Sequence, residues 1–407
     1  MLLSNLSLAW RNAVRHRRRT AIALSTIGFS LVAVLLAGGF VEWIFTATRE
    51  ATIQTGLGHI RVVRPGYLES GIANPFAFLL PLESPALSAL ESDPEVTAIA
   101  PRLSFSGLIS HGETTLSFIG EGVDPVKESK VSRILYIVRG EGLSAGDPKG
   151  IIVGRGLAAN LALQPGDKVV LLATGASGGL GGVDAHVRGI FSTDAKAYDD
   201  LALRTPIGLS RRLLKVSGSH MWVVTIDKTE DTRHTLDRFR AEFRTADLQF
   251  VPWYDLSDFY AKTVALLSSQ MNALRLMIGV IVVLGISNML VMNVLERTGE
   301  IGTLMAMGVR RSRILAIFLG EGAILGVVGA ALGLIVGIVL ARLISIVGIP
   351  MPPPPGRSVG YSAEILLTGP LVAVTFALVV AIAILASLYP AWRASRLAVV
   401  DALRHNR

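Results

Sequence analysis

The sequence predicts a membrane protein with four transmembrane helices and a large mixed α/β extracytoplasmic domain inserted between helices 1 and 2. Composition gives the first indication: the 407 residues are 51% hydrophobic and 17% charged, with a mean hydropathy of +0.53, against about 25% charged in ordinary soluble domains. Four apolar runs, at 21–41, 276–295, 314–340 and 370–388, reach the ~20 residues a helix needs to cross a bilayer. Between the first and second lie about 230 residues of polar-punctuated sequence with no run of that length, enough for one sizeable folded domain on one side of the membrane.

Arginine placement sets the expected orientation, because basic residues flanking spans are retained in the cytoplasm. Arg11, Arg15, Arg17, Arg18 and Arg19 precede the first run, Arg297, Arg310, Arg311 and Arg313 separate the second from the third, and Arg393, Arg396, Arg404 and Arg407 follow the fourth. Only Glu296, Glu300 and Asp401 oppose them, so these flanks carry about +10 in a chain of formal charge +8. We expect a multi-pass protein of the cell inner (cytoplasmic) membrane, both termini cytoplasmic, with the large domain periplasmic or extracellular. The basic balance is thus a topology signal with some pull on anionic membrane lipid, and no nucleic-acid partner is expected.

The first run reads as an uncleaved anchor, since its apolar core is longer than the 7 to 15 residues of a signal peptide and no small-residue cleavage site follows. Ahead of it Leu2, Leu6, Trp10 and Ala13 recur at helical spacing, which suits a helix lying in the membrane interface. The expected domains are this cytoplasmic interfacial helix at 1–20, transmembrane helix 1 with a stalk at 21–55, the extracytoplasmic domain at 56–254, and a stalk helix with helices 2–4 at 255–407. Asp255 is the expected N-cap of the second stalk. From Leu256 through Phe259, Thr263, Leu267, Met271 and Leu274 no Gly or Pro interrupts the path into the second span, which predicts a helix of ~40 residues and ~60 Å.

The inserted domain shows strand-like runs at 59–64, 96–100, 103–109, 114–120, 151–153, 168–173, 185–191 and 221–226, with a hairpin turn at 111–113. Helical patterning falls at 85–92, 156–163, 210–216 and 232–244.

Catalytic motifs are weak. No G-x-x-x-x-G-K-[ST] loop occurs, the seven His are dispersed, and there is no Cys, so no ATP site, zinc-hydrolase pattern or thiolate chemistry is expected in this chain. Gly175-Ala176-Ser177-Gly178-Gly179 matches a hydrolase elbow in letters but opens a glycine-rich loop toward another strand, where an elbow requires a helix. Gly154-Arg155-Gly156-Leu157-Ala158-Ala159 follows a strand without the βαβ context of a dinucleotide site. We therefore expect no catalytic residue, no metal and no cofactor held here.

Within the spans, Gly322 and Gly326, then Gly329, Gly333 and Gly337, repeat every four residues, the spacing of close helix packing. Glu321 in the same span is an ionisable group for which lipid exposure is costly. Ser287, Asn288 and Asn293 offer hydrogen bonds between helices. The segment from Glu296 to Arg311 places Ile301, Leu304, Met305 and Gly308 on one helical face with charges at both ends, the pattern of a short helix seeking a partner groove.

That segment carries a resemblance. E-R-x-x-E-I-G-x-x-x-A-x-G at 296–308, the Glu321-containing glycine-rich span, and Tyr389-Pro390-Ala391-Trp392-Arg393-Ala394-Ser395-Arg396 through Asp401-Ala402-Leu403-Arg404 resemble the FtsX-like permease domain. This domain occurs in the MacB, LolC/LolE and FtsX group of ABC transporter membrane subunits. Upstream, 151–158, 163–168 and 189–192 ahead of Asp199-Asp200 resemble the group's MacB-like periplasmic core domain. The resemblance implies a permease subunit, not itself an enzyme, that pairs with a second permease copy or paralogue and with separate ABC ATPase subunits, which bind ATP and Mg. It makes Glu300, Ile301, Leu304, Met305 and Gly308 the ATPase-coupling residues. The implied task is mechanotransmission to the outer domain for release of lipoproteins or other lipophilic cargo from the inner membrane. The alternatives are export of peptide, toxin or drug with periplasmic partner proteins, and regulation of a cell-wall hydrolase. If a lipoprotein is the cargo, Trp43 and Phe45 on the first stalk and Leu267 and Met271 on the second are the candidate cargo-facing side chains.

Overall fold

The computed structural model describes residues 17–71, 73–132, 135–193, 196–351 and 361–396. The chain forms two compact units, one over Ala47–Lys262 and the other over the described parts of Met1–Thr46, Thr263–Met351 and Ser362–Arg407. Most of the leader expected as an interfacial helix lies outside the described residues, as does the stretch from Asp401 to Arg404.

Helix α1 (Arg17–Thr52) ends in a wide turn at Ile53–Leu57, where Gly56 takes φ 135°. The large unit then builds a ten-stranded sheet from β1 (Ile60–Val63), β2 (Val96–His111), β3 (Thr114–Val123), β4 (Tyr136–Gly140), β5 (Gly150–Gly154), β6 (Lys168–Thr174), β7 (Leu180–Ser192), β8 (Ala202–Pro206), β9 (Met221–Ile226) and β10 (Gln249–Pro252). The spatial order is β10-β1-β9-β2-β3-β8-β5-β7-β4, with β6 bridging β2 and β7. The helices of this unit are α2 (Tyr67–Ser70), α3 (Pro85–Glu91), α4 (Pro125–Val131), α5 (Arg155–Asn160), α6 (Lys196–Asp199), α7 (Ile207–Leu214), α8 (Thr232–Glu242) and α9 (Trp253–Leu256).

Strand β2 organises the unit because its two halves serve two neighbourhoods. Its first half pairs with β9 from Val96 to Arg102, and its second pairs with β3 from Arg102 to His111. One core gathers Trp222, Phe239, Phe250 and Leu90 around β1 and β9, beneath α3 and α8. The other gathers Phe118, Leu171, Val187, Leu209 and Leu213 around β3, β6, β7 and α7. Each such fully buried side chain contributes about 1.5–3 kcal/mol.

The remaining helices are α10 (Asp258–Glu296), α11 (Thr298–Ala306), α12 (Arg311–Val347) and α13 (Gly369–Ser395). With α1 they supply four helices long and apolar enough to cross a membrane. Ile27, Leu31 and Leu35 of α1 interlock with Val282, Ile286 and Leu290 of α10, Leu325 and Ala330 of α12, and Val379 and Ala383 of α13. The spacing of four keeps the rows of α1, α10 and α13 each on one helix face. Outward-facing positions are also apolar, among them Leu276, Leu284, Ile335 and Val347, where a bundle solvated by water would carry polar residues.

Two expectations needed revision. The second long helix begins at Asp258: α9 stops at Leu256 and Ser257 leaves helical geometry at φ −114°, ψ 82°. Ser257 Oγ accepts the Tyr260 N–H at 3.3 Å, so this hydroxyl does the capping assigned to Asp255. The two runs at 96–100 and 103–109 form one strand through Pro101. Arg102 turns its carbonyl toward the His220 N–H, so by alternation the Pro101 nitrogen points to the other edge, where β3 has not yet begun.

Candidate functional site

Close helix crossings frame the membrane unit, and the glycine ridge of α12 serves two neighbours. A Cβ on Gly326 would lie 2.8 Å from the Ala383 side chain of α13, whereas one on Gly329 would meet Ile27 of α1 at 2.9 Å. At Gly333 the Cβ would come 2.6 Å from the Gly28 carbonyl oxygen, and at Gly337 2.8 Å from the Leu35 side chain. The ridge therefore changes partner from α13 to α1 along its length. Ser287 Oγ of α10 donates to the Ala386 carbonyl of α13 at 2.7 Å, while Asn288 faces outward.

The segment between α10 and α12 folds as the short helix α11. Thr298 Oγ1 turns back onto the Val294 and Leu295 carbonyls, and Arg297 Nε pairs with Glu300 Oε2 at 2.8 Å. At the other end the Gly308 N–H reaches the Met305 carbonyl and the Val309 N–H the Leu304 carbonyl, the paired C-terminal bonds that stop a helix with a left-handed residue. Gly308 supplies that residue at φ +86°. Its place in the motif thus has a backbone cause.

Ile301 points inward and is buried with Val294, Ile314, Phe318, Ala391 and Ala394, and Met305 and Val309 pack against this cluster. The motif residues Ala391 and Ala394 near the end of α13 are small because Ile301 and its neighbours sit on them. Leu304 is half-exposed, Glu300 is exposed, and Met307, just past the end of α11, is 69% exposed. The outward apolar edge of α11 is therefore Leu304 and Met307, while Ile301 and Met305 anchor it. Just inside this seat Asn293 Nδ2 donates to Glu321 Oε1 at 3.1 Å. Both side chains are buried.

Of the candidate cargo-facing residues, Trp43, Phe45 and Leu267 are half-buried and Met271 is buried. Trp43 stacks on Phe40 at 6.5 Å. Leu266, beside Leu267, is the more open side chain at 60% exposure.

In the large unit the chain leaving α1 is held by two polar clusters. Arg102 donates to Glu128 through Nε at 3.1 Å and Nη2 at 2.6 Å, and through Nη1 to the Gly56 carbonyl at 2.6 Å. Arg204 reaches Glu128 at 3.3 Å and Glu121 at 3.1 Å. Burial raises Glu121, but the Arg204, Arg102 and Arg61 guanidiniums outweigh it and hold this carboxyl below its ordinary range. Burial also pushes Arg61 down to about 10. The second cluster starts at His59, whose Nδ1 accepts the Ile226 N–H at 3.2 Å. Its Nε2 therefore carries the proton and donates to Thr229 Oγ1 at 3.1 Å, and that hydroxyl donates to Glu50 Oε1 at 2.9 Å. These residues line a polar cavity of about 160 Å³.

The two glycine motifs have packing explanations. Gly175 to Gly179 is a tight loop between strands β6 and β7, closed by the Gly175 N–H on the Gly179 carbonyl. At Gly154 a Cβ would lie 2.3 Å from the Asp199 carbonyl, and at Gly156 one would lie 1.8 Å from the Asp200 carboxylate. Among the described residues no group of three or more His, Asp or Glu is placed to hold a metal ion.

Residues 20–242 match the MacB-like periplasmic core domain, and residues 272–399 match the FtsX-like permease C-terminal domain. A macrolide export ATP-binding/permease protein, MacB of Rhodopirellula baltica, is 38% identical over 142 residues, 35% of this chain and 18% of the relative. The chain thus spans about a fifth of that relative's length. The lipoprotein-releasing system transmembrane protein LolC of Xylella fastidiosa is 24% identical over 79% of this chain and 80% of its own. The solved periplasmic region of MacB from Actinobacillus actinomycetemcomitans aligns with 50% of this chain and 92% of that one, at 14% identity and a TM-score of 0.37. With a core-domain match over more than half its length and an FtsX-like match across α10 to α13, the chain belongs to the MacB/LolC/FtsX family of ABC transporter permeases.

Proposed function

We propose that this chain is the permease subunit through which a separate ABC ATPase drives release of lipoproteins or other lipophilic cargo from the inner membrane. The observation that carries the reading is α11, a helix anchored from within by Ile301 that turns the apolar side chains of Leu304 and Met307 outward beside the Arg310–Arg311 pair. Such an edge fits a groove on a partner. ATP and Mg are bound by that partner. A second permease copy or paralogue completes the transporter, and the spans transmit the closure of the ATPases to the outer domain.

Lipoprotein release takes precedence because the LolC likeness extends along four-fifths of both chains, whereas the MacB likeness covers 35% of this one. Export of a peptide, toxin or drug is the second reading, and it is favoured by the higher 38% identity to MacB over that shorter stretch.

Affinity capture of the tagged chain from its own membranes, followed by depletion of the chain in cells, tests the reading. The expected result is an ATP-hydrolysing partner that is lost on Leu304→Asp, since a charge pressed into an apolar contact is desolvated and unpaired. Depletion should then leave acylated proteins in the inner membrane. Capture unchanged by Leu304→Asp overturns the docking role. Normal lipoprotein sorting after depletion overturns the cargo assignment in favour of export or of cell-wall regulation.

A further inference from the structure

We propose that Asn293 and Glu321 are positioning residues that set the pose of α11 for its partner, an inference that rests on the reading of α11 as the docking helix. Helix α11 hangs between the end of α10 and the start of α12, so its position depends on how these two helices are held. On α12, Ile314, Phe318 and Glu321 follow one another at intervals of four and three, which puts them on one face. On α10, Asn293, Val294 and Arg297 follow Leu290 by three, four and seven residues, again one face. The lower parts of both faces form the socket that receives Ile301. The Asn293–Glu321 hydrogen bond closes the top of that socket.

Apolar contact alone leaves the axial register of two helices loosely specified, because one methyl group packs nearly as well as its neighbour. A directional bond in a buried setting selects one register. An ionisable side chain 2% exposed within a membrane bundle is costly to keep, and a leucine would fill the same space. The pair makes a single hydrogen bond: Asn293 Oδ1 and Glu321 Oε2 have no partner among the described residues. Its worth therefore lies in geometry more than in stability. Gly322, the next residue, packs on Ser387 of α13, so a shift of α12 at this level also disturbs the contact with the fourth span.

The chain has no cysteine, so single thiols report the pose of α11 in the full-length protein in detergent. Met305→Cys sits against the socket and should react slowly with N-ethylmaleimide. Adding Asn293→Leu or Glu321→Leu should raise that rate about tenfold, a change of about 1.4 kcal/mol in the closed-to-open equilibrium. Glu321→Gln, which keeps the acceptor oxygen, should restore the slow rate. A control thiol at Val379 in the bundle core, 3% exposed, should stay slow in every background, which separates a displaced helix from a loosened bundle. Unchanged labelling at Met305→Cys in both leucine variants, or equal acceleration at Val379→Cys, overturns the inference. The same variants are then assayed for retention of the ATP-hydrolysing partner. If the parent chain captures none, the docking reading falls while the labelling still decides the role of the pair. If the parent captures it, retention should fall in step with the closed fraction that the labelling reports for each variant, and retention that does not follow that fraction overturns the inference.

Discussion

The Arg102 guanidinium and the Glu128 carboxylate meet through two hydrogen bonds of 3.1 and 2.6 Å, in a setting where the arginine is only 2% exposed. Arg102 lies where β2 passes from its β9 pairing to its β3 pairing, and its third nitrogen holds the Gly56 carbonyl. One side chain thus joins both halves of the sheet to the chain leaving α1. Breaking a buried pair from one side costs roughly 3–5 kcal/mol where the other charge is left alone, an upper bound here because Glu128 keeps Arg204 at 3.3 Å. Arg102→Met should lower the protection of β2 and β9 amides by up to that amount in hydrogen exchange on the full chain. Arg102→Met with Glu128→Leu should recover part of it, because no carboxylate is then left with Arg204 as its one cationic partner. Equal losses in the single and double variants would show that the Gly56 contact, and not the ion pair, dominates.

Gly56 itself tests the turn. At φ 135° a side chain is strained, and a Cβ would meet Arg102 Nη1 at 3.0 Å. Gly56→Ala should therefore destabilise the turn by about 1–3 kcal/mol, read as faster exchange of amides at 53–58. Gly112→Ala, at φ +58° with nothing within 4 Å, pays the backbone term alone and should cost less.

The spans were legible in the sequence because a bilayer imposes one simple demand, an apolar run of sufficient length. The short helix α11 was legible because Gly308 and Ile301 answer local needs, a left-handed stop and an inward anchor. Strand β8 was missed: Ala202–Pro206 is five residues long and carries Arg204 and Pro206, yet every residue is buried between β3 and β5. Arg204 pairs with Glu121 and Glu128, which arrive from distant sequence, while Thr205 Oγ1 meets Ser210 Oγ on α7, so no local pattern explains a buried arginine here. Arg102 was missed for the same reason.

Helix contact in the membrane unit predicts an order among glycine substitutions. At Gly333 the obstacle is backbone, the Gly28 carbonyl and Cα at 2.6 and 2.7 Å, which cannot turn aside as a side chain can. Gly333→Ala should cost about 1–3 kcal/mol through separation of α1 from α12, seen as a lower Tm in detergent. Gly326→Ala opposes the small Ala383 side chain at 2.8 Å and should fall in the same range or below. Gly369→Ala meets nothing within 4 Å and should be neutral.

Two histidines predict the acid response of the large unit. Burial pushes both His59 and His220 from 6.5 down to about 4, so each favours the neutral ring in the fold. The Ser104 N–H bond onto His220 Nδ1 at 3.1 Å, like the Ile226 bond onto His59, uses the lone pair that a proton would occupy. The unfolded chain binds more protons than the fold between these two values. Stability is therefore full above about pH 6.5 and is lost as pH falls toward 4, by roughly 3 kcal/mol per histidine. His59→Gln should remove about half of the loss between pH 7 and 4.5 in chemical unfolding of the unit, and a slope unchanged by both His59→Gln and His220→Gln would assign the acid response elsewhere.

Topology decides whether the proposed work is done outside the cytoplasm, and the arginines that predict it make the outcome sharp. Ser92 and Ser177 are exposed on the large unit, and Ser312 is exposed at the start of α12 beside Arg311 and Arg313. The chain has no cysteine to obscure the result. In cells whose inner membrane is intact, Ser92→Cys and Ser177→Cys should react with an impermeant maleimide, and Ser312→Cys only after lysis. Moving thirteen flanking arginines to the outer face would defeat the retention that basic residues impose, so partial labelling of Ser312→Cys is not expected. Its labelling in intact cells, with Ser92→Cys protected, would invert the protein, place α11 where ATP-driven subunits are absent, and remove the docking reading together with the release mechanism built on it.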